Sequence, residues 1–404
     1  MLLGPTTPSP AQLAWRQFRG RRLAYAALWG VFGLVALGVL APLIASGKPL
    51  LWCAVAEGCT SPWLVDLFDV QTYENLLDRV FNAALLPGLP VALISSGAAK
   101  VWRTRGRASG PRARGLRLAV SSVAVLLTVV GVTWLAPVGA RIDYRARAST
   151  LAAFGERPVV WRVPIEYSPR DVDVTAVQAG SSTRHPLGTD GAGRDVAARL
   201  LFGTRVSLTI GFVAVALYVA LGTALGAVAG FRGGRVDAWL SRLIEVVLAV
   251  PSLFLVLTAA AFIEERSIFH VMLIIAAVQW TTPARLVRAE VLRVKQLDYV
   301  TAARAAGFPE RAILWRHVLP NALAPVLVTA TFGVASAVLI ESTMSFLGLG
   351  DLTVPSWGQV LAAGRSAGSW PLIIAPGVAI FLTVGLLNLV GEGLRNALDP
   401  RLVR

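Results

Sequence analysis

The chain is 404 residues long, 55% hydrophobic and 15% charged, against roughly 25% charged residues in an ordinary soluble protein. Its net charge of +15 comes from 38 Lys and Arg against 23 Asp and Glu. The basic residues are spaced between long apolar runs instead of being gathered on one polar face, which argues against nucleic-acid binding, and two cysteines exclude a disulfide scaffold or a four-cysteine metal site.

Residues 1–22 form a basic tail with Arg16, Arg19, Arg21 and Arg22 and no acidic residue. Eight stretches without Asp, Glu, Lys or Arg then approach or meet the roughly 17–25 residues needed to span a bilayer. They are Leu23–Gly47, Val80–Ala99, Leu118–Ala140, Val206–Phe231, Val246–Ile263, Ser267–Ala284, Val318–Ile340 and Ser366–Gly391. The first is too long for the apolar region of a cleavable signal peptide and reads as a retained anchor. Pro87, Gly88 and Pro90 interrupt the second. The fifth and sixth are short, extending past Glu245 and Arg285 into the interface.

With the amino terminus inside, the Arg-rich segments 1–22, 100–117, 232–242, 285–317 and 392–404 fall on the cytoplasmic side. Segments 48–79, 141–205, 264–266 and 341–365 fall outside and are close to neutral in sum. The expectation is an all-α polytopic membrane protein of about eight spans with both termini cytoplasmic. Contact with anionic membrane lipid would account for its basic linker 101–117 without a specific partner. Cys53 and Cys59 face the oxidising side, either paired across a short loop or as two free thiols. Residues 141–195, with Pro158, Pro164, Pro169 and Pro186, read as an ordered extracytoplasmic loop and not a domain.

Gly222, Gly226 and Gly230 repeat every four residues on the fourth span, a spacing that lets helices meet backbone to backbone, within the bundle or against a second subunit. Glu245 and Glu341 are carboxylates at or near membrane depth, which are functional candidates in a membrane protein. As a pair they would suit a proton relay. Glu245 sits about a turn from Arg242 and Glu341 at the outer end of its span, so ion-pairing and helix-end roles are favoured. In the turn GTDGAGRD, Gly188, Asp190, Gly193, Arg194 and Asp195 read as a structure that seats the following span, and as a candidate contact for an extracytoplasmic protein. His185, His270 and His317 are too scattered for a metal site. None of the three lysines precedes Ser or Thr, so the phosphate-binding loop G-x-x-x-x-G-K-[ST] is missing and no ATP hydrolysis is expected of this chain.

The stretch 298–321, DYVTAARAAGFPERAILWRHVLPN, predicts two short helices at an angle on the cytoplasmic side. Asp298 and Tyr299 lead into the first, about Val300–Ala306. Gly307 suits the left-handed position that ends it, and Pro309 the first turn of a second helix reaching about Val318. Ile313, Leu314 and Val318 share one side of that helix, while Arg311, Trp315 and Arg316 lie elsewhere around it. The small Ala302, Ala303 and Ala306 allow close approach by another protein.

The pattern TAARAAG followed by RHVLPN resembles the coupling loop of bacterial ABC-importer permeases, with Gly307 at the signature glycine and Thr301 in place of the acidic residue. Leu319–Pro320 also matches the end of the motif. HPLGTDGAGRDVAARLLFGTRVSL, ESTMSFLGLGDLTVPSWG and LNLVGEGLRNALDPRLVR resemble the dipeptide, oligopeptide and nickel branch of that family. The four motifs cover about 220 residues from His185 onward. The resemblance implies a type I permease bundle in residues 196–404. Its coupling loop at 298–320 would dock separate ATPases through Tyr299, Thr301, Ala302, Ala303, Ala306, Gly307, Arg311, His317 and Pro320. It further implies a bacterial inner-membrane location, a second homologous permease, two ATPase subunits that bind ATP and Mg, an extracytoplasmic substrate-binding protein, and peptides as substrate. Such permeases usually have six spans, so in the membrane region 23–140 one span is of the family type and the pair within Val80–Ala140 is inserted. The other reading kept open is a proton-coupled secondary transporter using Glu245 and Glu341; the lack of an internal repeat counts against it.

Overall fold

In the computed structural model, residues 10–55, 58–67, 69, 73, 76–83, 85 and 142–398 are described. The expected span Leu118–Ala140 and the linker 101–117 lie outside them, as does Val80–Ala99 apart from residues 80–83 and 85. The described chain is mostly helical and divides into two units, one of residues 1–34, 207–362 and 373–404, the other of residues 35–206 and 363–372.

Four described helices are long and apolar enough to cross a membrane: α2 (Arg22–Ile44), α6 (Val196–Arg232), α14 (Ala324–Phe346) and α16 (Trp370–Leu398). At 37 residues, α6 is about 55 Å long, well beyond a hydrocarbon core of roughly 30 Å. It begins ten residues before the charge-free stretch, because Arg199 and Arg205 are helical residues with partners of their own.

Two expected spans take a different form. Val246–Ile263 is broken between α7 (Gly234–Leu248) and α8 (Ser252–Ala261), whose axes differ by 80°. Pro251 sits at the break with an extended backbone (φ −56°, ψ 128°) and starts α8; lacking an N–H, it cannot carry the helix through. Ser267–Ala284 divides at Trp280 into the apolar α9 (Ile268–Gln279) and the amphipathic α10 (Thr281–Val294). Pro283 cannot donate to the carbonyl four residues back, at Gln279. The span expected at Val318–Ile340 starts later, at Ala324: Pro320 lies in the first turn of a short helix, Leu319–Ala322, and Pro325 in the first turn of α14.

In the first unit a core of Val287, Val291, Val294, Val300, Ile313, Val318, Leu319, Ala322 and Val326, with Ala227, joins α6, α10 and the segment 298–326. The second unit contains a small antiparallel sheet that the helical expectation did not include, in the order β2 (Gly58–Thr60), β1 (Leu51–Ala54), β3 (Val159–Trp161). Cys53 pairs in register with Cys59 and with Val159, and the two cysteines form a disulfide. Segment 142–195 is therefore more than a loop. It supplies β3 and the helix α5 (Tyr144–Ala153), capped by the Asp143 carboxylate accepting from the Arg145 and Ala146 amides. Trp52 is buried against the Tyr144 ring at 5.1 Å.

Candidate functional site

The elbow at 298–322 is built from a helix α11 (Asp298–Ala305), a reversal at Gly307, and a second helical run from Glu310 to Ala322. Gly307 has φ +78°, the left-handed region where an L side chain is strained. The Phe308 amide donates to the Ala303 carbonyl (3.2 Å) and the Gly307 amide to the Arg304 carbonyl (3.0 Å), the paired bonds of a Schellman stop. The second run is not the single α-helix expected to Val318. It passes from Glu310–Ile313 through a π turn, Leu314–Val318, into Leu319–Ala322. Pro320 has no N–H for the Arg316 carbonyl, and the helix widens so that the Leu319 amide donates to Leu314. The His317 carbonyl accepts from the Tyr299 hydroxyl (3.2 Å) and the Asn321 amide (2.8 Å), and Asn321 also donates to Tyr299 at 3.0 Å. This polar node ties the two arms together.

One side of the elbow is buried and the other open. Val300, Ile313 and Val318 are fully buried, whereas Trp315 is 67% exposed and Phe308 and Tyr299 are also exposed. Thr301, Ala302, Ala306, Gly307, Arg311 and Pro320 are exposed, and Ala303 and His317 half-buried. The Phe308 ring meets the edge of the His317 ring at 6.0 Å. Arg304 and Glu310 bridge the reversal through two hydrogen bonds of 2.7 and 3.3 Å. The bond from Arg304 holds the Glu310 carboxyl below its ordinary pKa.

The glycine repeat faces α10. A Cβ on Gly222 would lie 2.5 Å from the Trp280 carbonyl, one on Gly226 3.0 Å from the Ala284 backbone, and one on Gly230 2.7 Å from the Arg288 carbonyl. Three glycines four apart thus meet backbone four apart on the partner helix. Lys295 donates to the Gly230 carbonyl at 2.7 Å, and Arg288 makes a two-bond pair with Asp237 of α7. This is packing within the bundle.

The two membrane carboxylates are in unlike settings. Glu245 pairs with Arg242 at 2.9 Å, both side chains mostly exposed. Glu341 differs from expectation: among the described residues no cation pairs with it. It is 1% exposed and accepts from Ser207 (2.9 Å) and Ser345 (2.8 Å), with Ser342 at 3.5 Å. Hydroxyl donors stand in for a counter-ion, which a buried carboxyl needs to offset its desolvation. Nearby, a Cβ at Gly358 would fall 2.9 Å from the Ser342 Cα, so the motif 341–358 folds tightly back on the end of α14. The Asp351 carboxylate accepts from the Ile268 amide that opens α9 (3.2 Å), and Arg266 donates to the Gly348 carbonyl (2.8 Å).

In the second unit the GTDGAGRD turn seats the start of α6. Asp195 caps the helix, accepting from the Ala198 amide at 2.8 Å, and its other oxygen lies 2.8 Å from Nδ1 of His185. Asp190 accepts from the Ala192 and Arg194 amides, binds the Arg194 side chain at 2.9 Å and lies 3.4 Å from Arg199. Gly188 and Gly193 have φ of +78° and +75°. A Cβ on Gly188 would run into the Ala179 carbonyl, and one on Gly193 into the Asp173 carbonyl. Hydrogen bonds from Thr175 first, then from Tyr167 and His185, hold the Asp173 carboxyl well below the usual carboxylate range.

Arg205 was not singled out in the sequence, where it only precedes the charge-free stretch Val206–Phe231. Pro42 inside α2 leaves the Gly38 carbonyl without its helical donor, and the fully buried Arg205 supplies one at 2.7 Å. The same guanidinium bonds Asp78 (3.0 Å) and Asn82 (2.9 Å) of α4 (Leu76–Ala83) and lies over the Phe81 and Phe202 rings. A proline in a span and an arginine at the edge of another were the only local signals.

Comparison with known proteins agrees with these motifs. Residues 222–404 match the family described as the binding-protein-dependent transport system inner membrane component. Residues 9–51 match the N-terminal transmembrane domain of oligopeptide transport permease C, so the likeness reaches into the first 180 residues, where no motif had been recognised. The chain is 38% identical over 227 residues to the dipeptide transport system permease of Alkalihalophilus pseudofirmus, covering 55% of this chain and 74% of that one. It is 35% identical over 245 residues to the oligopeptide transport system permease of Haemophilus influenzae, covering 60% and 78%. A solved methionine ABC transporter in an inward-facing state aligns with a TM-score of 0.43 and 17% identity over 50% of this chain and 96% of that one. The chain belongs to the family of multi-pass permease subunits of binding-protein-dependent ABC transport systems, within its dipeptide and oligopeptide branch.

Proposed function

We propose that this permease takes up di- or oligopeptides, lining the pathway together with a second, homologous permease. The relatives named for dipeptide and oligopeptide transport support the substrate class. In this reading both termini and the elbow are cytoplasmic, in the inner membrane of a bacterium, and the Cys53–Cys59 sheet and the GTDGAGRD turn face a substrate-binding protein outside. ATP and Mg are held by two separate ATPase subunits, because this chain has no phosphate-binding loop. Residues 196–404 form the permease core and 23–140 the N-terminal membrane region with its inserted spans.

The elbow carries the proposal. Its inner side is locked into the core by Val300, Ile313 and Val318, while Tyr299, Phe308 and Trp315 stand exposed. A partner that grips this knob can shift the bundle only by holding it differently in two states. A rigid elbow passes such a difference into α10 and α14. Purification of the tagged chain from its native membrane is expected to bring down a second permease and ATPases. A lone chain that moves solute on a proton gradient would overturn the reading. Gly307→Trp is expected to leave insertion intact and to uncouple ATP hydrolysis from uptake, and retained transport would count against the elbow.

A further inference from the structure

The helix α1 (Pro10–Gly20) precedes the first span by the single residue Arg21. In PAQLAWRQFRG, Ala14, Trp15 and Phe18 share one arc at spacings of three and four, and Gln12, Arg16 and Arg19 share the adjoining arc. The apolar arc is only partly used by the protein. Phe18 is 5% exposed and packs with Ala24 and Ala397. Gly393 permits that approach, since a Cβ there would sit 2.9 Å from the Phe18 ring. Trp15 stacks on Phe18 with centroids 5.8 Å apart yet remains 51% exposed.

The basic arc is open. Arg16, Arg19, Arg21 and Arg22 are all exposed, and among the described residues no carboxylate pairs with them. Arg19 lies 5.8 Å from the Tyr25 ring. Tyr25 and Trp29, rings 6.2 Å apart, continue an aromatic edge into α2, as aromatic side chains do at a membrane–water boundary. A 23-residue apolar helix such as α2 that crosses a bilayer has its first turn at the edge of the hydrocarbon, which would set the four arginines among lipid headgroups.

We propose that α1 and the arginines at its junction with α2 form a binding surface for anionic phospholipid headgroups, held in place by Phe18 against the end of α16. Guanidinium groups match phosphate oxygens with paired hydrogen bonds, Trp15 enters the interface beside them, and the charge complementarity selects anionic over zwitterionic lipid. The surface needs only that α2 spans the membrane, so it stands whatever the substrate or the orientation. Each arginine near an anionic surface is worth roughly fivefold in affinity.

The test uses the full chain with its co-purifying subunits in nanodiscs of phosphatidylcholine, with or without phosphatidylglycerol, and reads amide hydrogen exchange over residues 10–22. Exchange is expected to slow several-fold when phosphatidylglycerol is present. The combined variant Arg16→Gln, Arg19→Gln, Arg22→Gln is expected to lose that response. A control variant, Arg242→Gln with Arg293→Gln, removes two exposed arginines elsewhere and is expected to keep it. Equal exchange in both lipids, a response retained by the triple variant, or a response lost in the control would each overturn the proposal.

Discussion

The elbow at 298–322 and the turn at 167–199 are both polar reversals, yet they spend their polar groups in opposite ways. In the turn the charges point inward: Asp190, Asp195 and His185 are each 2% exposed or less, with Asp195 bonded to His185 and the Ala198 amide, and Asp190 to the Arg194 amide and side chain. In the elbow the polar bonds are few and lie at the surface, and aromatic side chains stand outside them. Buried, satisfied networks fix one geometry. A surface with open aromatics and a backbone locked from beneath is suited to a partner. The comparison separates a frame from a contact, and substitutions in each should therefore fail differently.

The largest effect is expected in the frame of the second unit. Arg205→Ala strands the Asp78 carboxylate and the Gly38 carbonyl in a buried site, a loss of about 3–5 kcal/mol. It should appear as a lower unfolding midpoint in detergent and reduced accumulation in the membrane. Asp195→Ala removes a helix cap and the partner of His185, and is expected to cost about 2 kcal/mol in the same measurement.

Asp173→Asn sharpens the comparison through pH. The folded protein holds this carboxyl below its ordinary pKa, so its contribution to stability is fully present above about pH 4. That contribution is lost as pH falls through the folded value. Unfolding midpoints of wild type and variant should therefore converge on acidification, and a gap that stays constant with pH would contradict the assignment. The smallest effect on stability is expected in the elbow. Tyr299→Phe removes one hydroxyl while Asn321 still donates to His317, a cost of about 0.5–1.5 kcal/mol. Uptake should fall by far more than that, with ATP hydrolysis retained, because the two arms are no longer tied.

Local signals made the elbow legible: an alanine-rich run, then Gly307, then Pro309, in a segment too polar to span. Its π turn was less so, since it depends on how Pro320 and the core under Ile313 and Val318 compete for one helical path. The breaks at Pro251 and Trp280 were hidden by composition, because an apolar run has the same hydropathy straight or bent. Strands β1 and β3 hold four and three residues and pair across about a hundred residues of chain, too short and too distant for periodicity to show. Glu341 was readable as a carboxyl at membrane depth. Ser345 follows one turn later on the same helix, but Ser207 was hidden because it lies on another helix.

The central claim is that the elbow is the contact for the ATPase subunits. A photocrosslinking amino acid placed at Trp315 in native membranes tests it most directly, with the same substitution at the 93% exposed Val55 as reference. The account predicts an adduct to a P-loop ATPase from position 315 and none from position 55. Adducts from position 315 to no protein, or to one without a nucleotide site, would contradict it.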